Sequence, residues 1–574
     1  MLIPIENVGE GGIVSDIKPY QLQPNQWSSG NNVSFRNGEI SKINGYAEVM
    51  KDCPIEPWHL GTYMQPEKNG RLSLGGFFWL AFGEKKIYCN WLNEWYNVTR
   101  QDGDGNDIDY NTVSGTNWDV TQSGALLIAT NTEDIPQIWQ LDNANKVSVG
   151  LPFKDMESWV NDNTPGETDL SCQTVEGFKN HIIVTGPTRD FGIQEDEHLS
   201  RTVKWSTQHS HYSEPASWDV TNEDFDAGEY ELLDTQGSII DTLPMGELFM
   251  VYKSDSVHMM SYVGTPYIFK FKTLNPQIGI IAKGAAVEFP GGHFFISLSD
   301  CYVNNGQSVV PILTGKVRDQ MFNNINGDFY DRIFCVADIA HNEILACYPS
   351  ANSEHCDKAM VWNFKDNTFT FRDLPDVTDI KSGVKALEEY YDPDDPTNIT
   401  WESSDPDPTV PMVPWNSVTT LVWGAVSYAN VITNLVMCSP LPPQVDPDFN
   451  GKLYRNNAGQ TENGEMMYSY VERTGIDLGD PSSVKHLRAI WPKIATKDTH
   501  TIDIYTGSQM GTDEPVRWEG PHRYNPDVQS KVSVRTTGKL LGVRFETRSD
   551  TNWAISGIEL ESETSGSRGS RKYA

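Results

Sequence analysis

GELFMVYKSDSVHMMSYVGTPYIFKFKTL (residues 246–274) and GGHFFISLSDCYVNNGQSVVPI (residues 291–312) decide how this chain is read. Each is an apolar strand, a short polar turn, a second strand and a third. The apolar runs Leu248–Tyr252 and Phe294–Ser297 are too short for helices and rich in aromatic residues, which favours strand. Ser254-Asp255 in the first copy matches Ser299-Asp300 in the second, 45 residues on. Both suit a hairpin corner, because Ser and Asp side chains bond nearby backbone amides. A repeat near 45 residues holding three or four strands predicts a propeller blade.

Working outward, an aromatic or His marker recurs on what reads as the second strand of each copy. The markers are Ile87-Tyr88, Ile138-Trp139, Lys204-Trp205, Val257-His258, Cys301-Tyr302 and Val361-Trp362. Their uneven spacing predicts six or seven blades with long inserted loops. A seventh blade would come from Thr419–Tyr428 with Val431–Met437, or from N-terminal strands that close the ring. A pair of β-sandwiches fits the same strand spacing. The expected fold is therefore all-β, an irregular propeller followed by a β-sandwich-like domain.

The expected division has four parts. Residues 1–50 form an arm and hairpin, with Asn37-Gly38 as a two-residue turn between Val33–Arg36 and Glu39–Ile43. Residues 51–445 form the propeller, interrupted by an acidic, Pro-rich insertion at 376–416. Residues 446–562 alternate apolar and polar positions over longer strands and read as a sandwich. Residues 563–574 read as a flexible basic tail, with Arg568, Arg571 and Lys572.

Of 574 residues, 78 are Asp or Glu and 44 Lys or Arg, a formal charge of −34. That balance repels nucleic acid and argues against a DNA-grabbing role. No apolar window approaches membrane-spanning length, and the first residues lack the basic start and apolar core of a signal peptide. The eight cysteines are scattered singly, in no CxxC or zinc spacing, and read as free thiols.

Motifs for chemistry are sparse. Residues 102–109 (DGDGNDID) resemble a calcium loop, with Asp102 and Asp104 as weak metal candidates. Asp107 and Val113 stand where that loop requires Gly and Glu. Asp219, Glu223, Asp224 and Asp226 form an acidic cluster with Glu229, Glu231 and Asp234. Asp392, Asp394 and Asp395 form another in the insertion. Both are read as interface or channel candidates. No sialidase Asp box, G-x-S-x-G, Walker loop, HExxH or dinucleotide fingerprint is present. The expectation is a protein that is not an enzyme and has no cofactor. His209 and His211 read as a polar loop, and His258 as a packed residue of a sheet.

The opening N-N-V-x-F-R-x-G of residues 31–38, the K-x-x-G-Y of residues 42–46, and the runs 251–312, 316–326 and 342–374 resemble a known family. It is the tail nozzle of short-tailed phages, also called the tail hub or tail tubular protein B, and the likeness covers most of residues 12–375. The resemblance implies a propeller assembled as a homohexameric ring in the virion tail, built in the host cytoplasm. That ring would lie beneath the portal and its adaptor, carry tail fibres or spikes, and retain and then pass viral DNA without sequence-specific binding. It carries no catalytic residues over to this chain. The competing readings are a carbohydrate- or receptor-binding propeller of adhesin type and a sialidase-like glycosidase.

Overall fold

The computed structural model describes residues 2–66, 72–91, 93–113, 118–140, 151–160, 168–192, 195–383, 434–440, 451–496 and 501–564. Among them, seven four-stranded antiparallel sheets follow one another along the chain. The quoted stretch 246–274 supplies three strands of the fourth sheet: Leu248–Lys253, Val257–Tyr262 and Phe269–Asn275. A strand before it, Ile239–Met245, completes that sheet on its inner side. The same holds for the markers: Tyr88, Trp139, Trp205, His258, Tyr302 and Trp362 all lie on the third strand of their sheet. Inner strands such as Asp119–Ser123 and Asp379–Gly383 escaped the repeat because polar residues interrupt them, which breaks the apolar signature.

The corner residues act as their chemistry suggests. Asp255 accepts the Gly237 N–H at 2.7 Å, and Asp300 accepts the N–H groups of Cys301 and Leu313 at 2.8 and 3.0 Å. His258 is fully buried on its strand, with Nε2 beside the hydroxyls of Ser256 and Thr235.

The seven inner strands begin at His59, Asp119, Thr174, Ile239, Ala286, Phe334 and Asp379, and residues from all seven line one cavity of about 390 Å³. Sheets arranged radially about a shared axis make the fold an all-β, propeller-like one. Apolar residues fill the spaces between neighbouring sheets, as where Tyr63, Phe78 and Leu80 of the first meet Leu127, Ala129 and Trp139 of the second.

The seventh sheet draws on both halves of the chain. Asp379–Gly383, Asn434–Pro440 and Gly451–Asn456 are joined on the outside by Tyr46–Glu48. Residues 379–383, expected at the start of the Pro-rich insertion, are thus the inner strand of a sheet. Residues 451–456, expected in the sandwich, are its third strand. Thr419–Tyr428 and residues 384–416, with Asp392, Asp394 and Asp395, lie outside the described residues.

Residues 2–42 do not stand apart as an arm. Leu2–Glu6 and the hairpin Val33–Arg36/Glu39–Lys42 join a six-stranded sheet through Trp553–Thr564, and Ser29–Asn31 joins a five-stranded sheet through Tyr468–Ile476. Asn37 and Gly38 both have positive φ, the geometry of the tight two-residue turn. The two sheets share an apolar core in which Trp27 meets Phe545 edge-on at 6.3 Å. That core is continuous with the fourth to sixth propeller sheets. Thr368 and Thr370 donate to the carbonyls of Phe35 and Val33, and Arg36 reaches buried Glu343 at 2.6 Å. The N-terminal segment therefore fastens the sandwich to the propeller.

Candidate functional site

Two places gather polar chemistry. At the axis, adjacent inner strands diverge and do not form a continuous backbone ladder, so their buried N–H groups need other acceptors. Side chains provide them. Asp119 accepts the Val175 N–H at 2.8 Å, Asp241 accepts that of Gly284 at 3.0 Å, and Asp379 accepts that of Leu60 at 2.9 Å. Gln122 both accepts from and donates to the backbone of Met64. Thr121 donates to Glu176, and Thr174 meets Thr242 at 3.1 Å.

Burial governs the protonation of these groups. It raises the Asp241 carboxyl, helped by the charge of Asp119, to about 7. It also drives Glu176 upward, again with Asp119 adding to the effect. Asp379 goes the other way: burial opposes ionisation, but His59, Lys381 and the Leu60 N–H outweigh it and hold the carboxyl at about 2. Burial lowers His59, whose Nδ1 lies 3.0 Å from the Asp379 carboxylate. Lys283 and Lys381 are the cations of this cavity. The axial carboxylates escaped sequence reading because they stand far apart in the chain, one to a strand, and come together only where the inner strands line one cavity. The available signal was Asp followed by a β-branched residue at three inner strands, Asp119-Val120, Asp241-Thr242 and Asp379-Ile380.

The second place is a cleft of about 940 Å³ between the third and fourth sheets. Its floor is aromatic: Trp205 from the third sheet meets Phe269 of the fourth edge-on at 5.3 Å, and Tyr230 stacks on Phe271 at 4.5 Å and 6°. The loop from Ser206 to Ala227 forms one wall. It is held by the Trp205 indole N–H donating to the Asp226 carbonyl at 3.0 Å and by a turn in which Asn222 accepts from Asp224. Residues 263–268 form the other, with Tyr267 exposed to solvent at the lip.

Of the acidic cluster, Glu223, Asp224, Asp226 and Glu229 line this cleft. Asp219 does not: its carboxylate accepts from the N–H and hydroxyl of Thr221, which hold it below the usual carboxylate range. Glu229 is tied to Arg189 at 2.7 Å, and Arg189 shares buried Asp169 with Lys204. Asp226 lies 4.0 Å from His181. Glu231 pairs with Arg201, and Asp234 accepts from Thr273.

Residues 102–109 form a polar turn that Asp107 ties to Lys86 at 3.1 Å and to Asn97 at 2.6 Å. Asp102 accepts the backbone N–H groups of Asp104 and Asn106 at 2.9 and 2.8 Å and the Asn106 amide, which hold its carboxyl low. Its oxygens are thus committed to the loop itself, and Asp104 shares no metal-type cluster with it among the described residues. His209 bonds the Ser123 hydroxyl at 2.8 Å, as a loop residue. The eight cysteines are unpaired, and all but Cys335 are buried.

No family model matches the chain, and no curated protein matches it. Solved structures similar to it in part include the AfRom2 CNH domain, at 8% identity and TM-score 0.34, over 71% of this chain and 97% of that one. The computationally designed Ika8 protein matches at 8% identity and TM-score 0.33, over 74% and 96%. PorZ, a surface component of the type-IX secretion system of Porphyromonas gingivalis, matches at 10% and 0.30, over 58% and 35%.

Proposed function

We propose that this protein is a structural component of a short-tailed phage virion, the tail nozzle, in which six copies form a ring that continues the portal and adaptor channel. The observation that carries the reading is where the resembling residues fall. The N-N-V-x-F-R-x-G segment, Asn31–Gly38, is the one whose carbonyls accept from Thr368 and Thr370 and whose Arg36 reaches Glu343. A motif spent on fastening two β bodies together suits a scaffold that must hold its shape under load.

The axial cavity, at about 390 Å³, is far too small for a duplex. In this reading DNA passes between copies, along outer surfaces, and tail fibres or spikes attach on the far side. The formal charge of −34 per copy lets DNA keep its counter-ions and slide with little adhesion. Fibre attachment and contact with the adaptor ring follow from the same reading.

Electron microscopy of the purified, assembled protein viewed down its axis tests it. The expected image is an open six-fold ring whose lumen presents more carboxylates than Lys and Arg. A monomer that binds host polysaccharide, or a lumen lined by basic side chains, overturns it.

A further inference from the structure

We infer that the cleft between the third and fourth sheets is the docking site for this chain's own basic C-terminal segment, residues 565–574. The cleft keeps aromatic surface in water: Tyr267 is 77% exposed, Tyr230 48% and Phe225 39%. Such a patch on a folded surface marks a place where something binds. Its charge says what kind of partner. Among the described residues Glu223 and Asp224 form no ion pair, and Lys270 is the cleft's single cation.

Aromatic faces next to unpaired carboxylates suit guanidinium groups, which stack on rings and bond carboxylates with one planar fork. The sequence SGSRGSRKYA at 565–574 supplies Arg568, Arg571, Lys572 and Tyr573 with no acidic side chain, on a chain that is otherwise strongly acidic. Its Gly and Ser spacers allow the basic groups to adapt to the walls. Extended, ten residues reach at most about 33–36 Å from Thr564. The contact does not depend on the ring. If the nozzle reading holds, the segment of one copy reaching the cleft of the next would tie neighbours together.

The test uses the full-length protein with Arg568, Arg571 and Lys572 changed to Ala, which vacates the cleft. A fluorescently labelled SGSRGSRKYA peptide is titrated in and its anisotropy followed. Expected is saturable binding that weakens with salt, and that weakens at least about tenfold in Glu223→Gln/Asp224→Asn and in Tyr267→Ala backgrounds. These three residues are exposed, so the variants fold as the parent does, and circular dichroism checks this. The protein with its native segment should bind the peptide more weakly, because that segment competes. Absence of saturable binding, binding unchanged by the cleft substitutions, or capture of neutral oligosaccharides by the cleft with no effect of the peptide would each overturn the assignment. Six-fold rings seen without peptide binding would remove this contact and leave the nozzle reading standing.

Discussion

The Asp379 carboxylate accepts the Leu60 N–H at 2.9 Å across the junction where the seventh propeller sheet meets the first. The same carboxylate receives His59 Nδ1 at 3.0 Å. One side chain therefore closes the circuit of inner strands, where no backbone ladder does.

Asp379→Ala removes an acceptor from two buried donors. Each unsatisfied buried group costs about 1–3 kcal/mol, so the variant should lose at least that much by chemical denaturation at neutral pH. Asp379→Asn keeps one acceptor oxygen and should lose less. In the parent protein the Asp379 contribution is present above the ordinary Asp range near pH 4. It is lost as pH falls toward 2, because the folded carboxyl is held low.

Asp241 has the opposite sign. Its folded carboxyl stands at about 7, so the native state binds a proton that the unfolded chain releases. The stability this gives is complete below about pH 4 and declines as pH rises through 7. Asp241→Asn should flatten the slope of unfolding free energy against pH between 4 and 8 relative to the parent. Glu176→Gln should flatten it in the same direction. A slope unchanged in both variants would show that these carboxyls ionise freely at the axis.

Trp27 is 2% exposed, donates its indole N–H to Val8, and packs on Phe545 inside the core shared by sandwich and propeller. Trp27→Ala should cost about 3–5 kcal/mol. Because Trp27 sits where the two bodies are fastened, calorimetry should show one unfolding transition in the parent and two in the variant.

Asp169 lies buried between Arg189 and Lys204, each at 2.6 Å. Removing one member of a buried ion cluster strands the others, at about 3–5 kcal/mol. Asp169→Ala should approach that loss in urea unfolding. A Lys204→Met/Asp169→Leu double variant should recover a large share of it, since apolar replacement restores packing without charge.

Much of the fold was legible in sequence because the second and third strands of most sheets are largely apolar and separated by turn residues with a chemical signature. Leu248–Lys253, Gly292–Ile296 and the Asn37-Gly38 turn needed only periodicity and turn chemistry. The inner strands were missed for a physical reason: Asp119, Asp241 and Asp379 lie on them, bond across sheets and interrupt the apolar pattern. Sequence grouped Glu223, Asp224 and Asp226 but also Asp219, whose carboxylate is spent on its own loop. The aromatic floor was invisible in sequence, since Trp205, Tyr230, Phe269 and Phe271 come from two sheets.

The pairing of Leu2–Glu6 with Trp553–Thr564, and of Tyr46–Glu48 with Gly451–Asn456, has a consequence for synthesis. Residues 2–6 and 46–48 find their partners only after residues 553–564 and 451–456 have been made. Until then their strand edges are open to other chains. Truncated products lacking Trp553–Thr564 should therefore accumulate as aggregates.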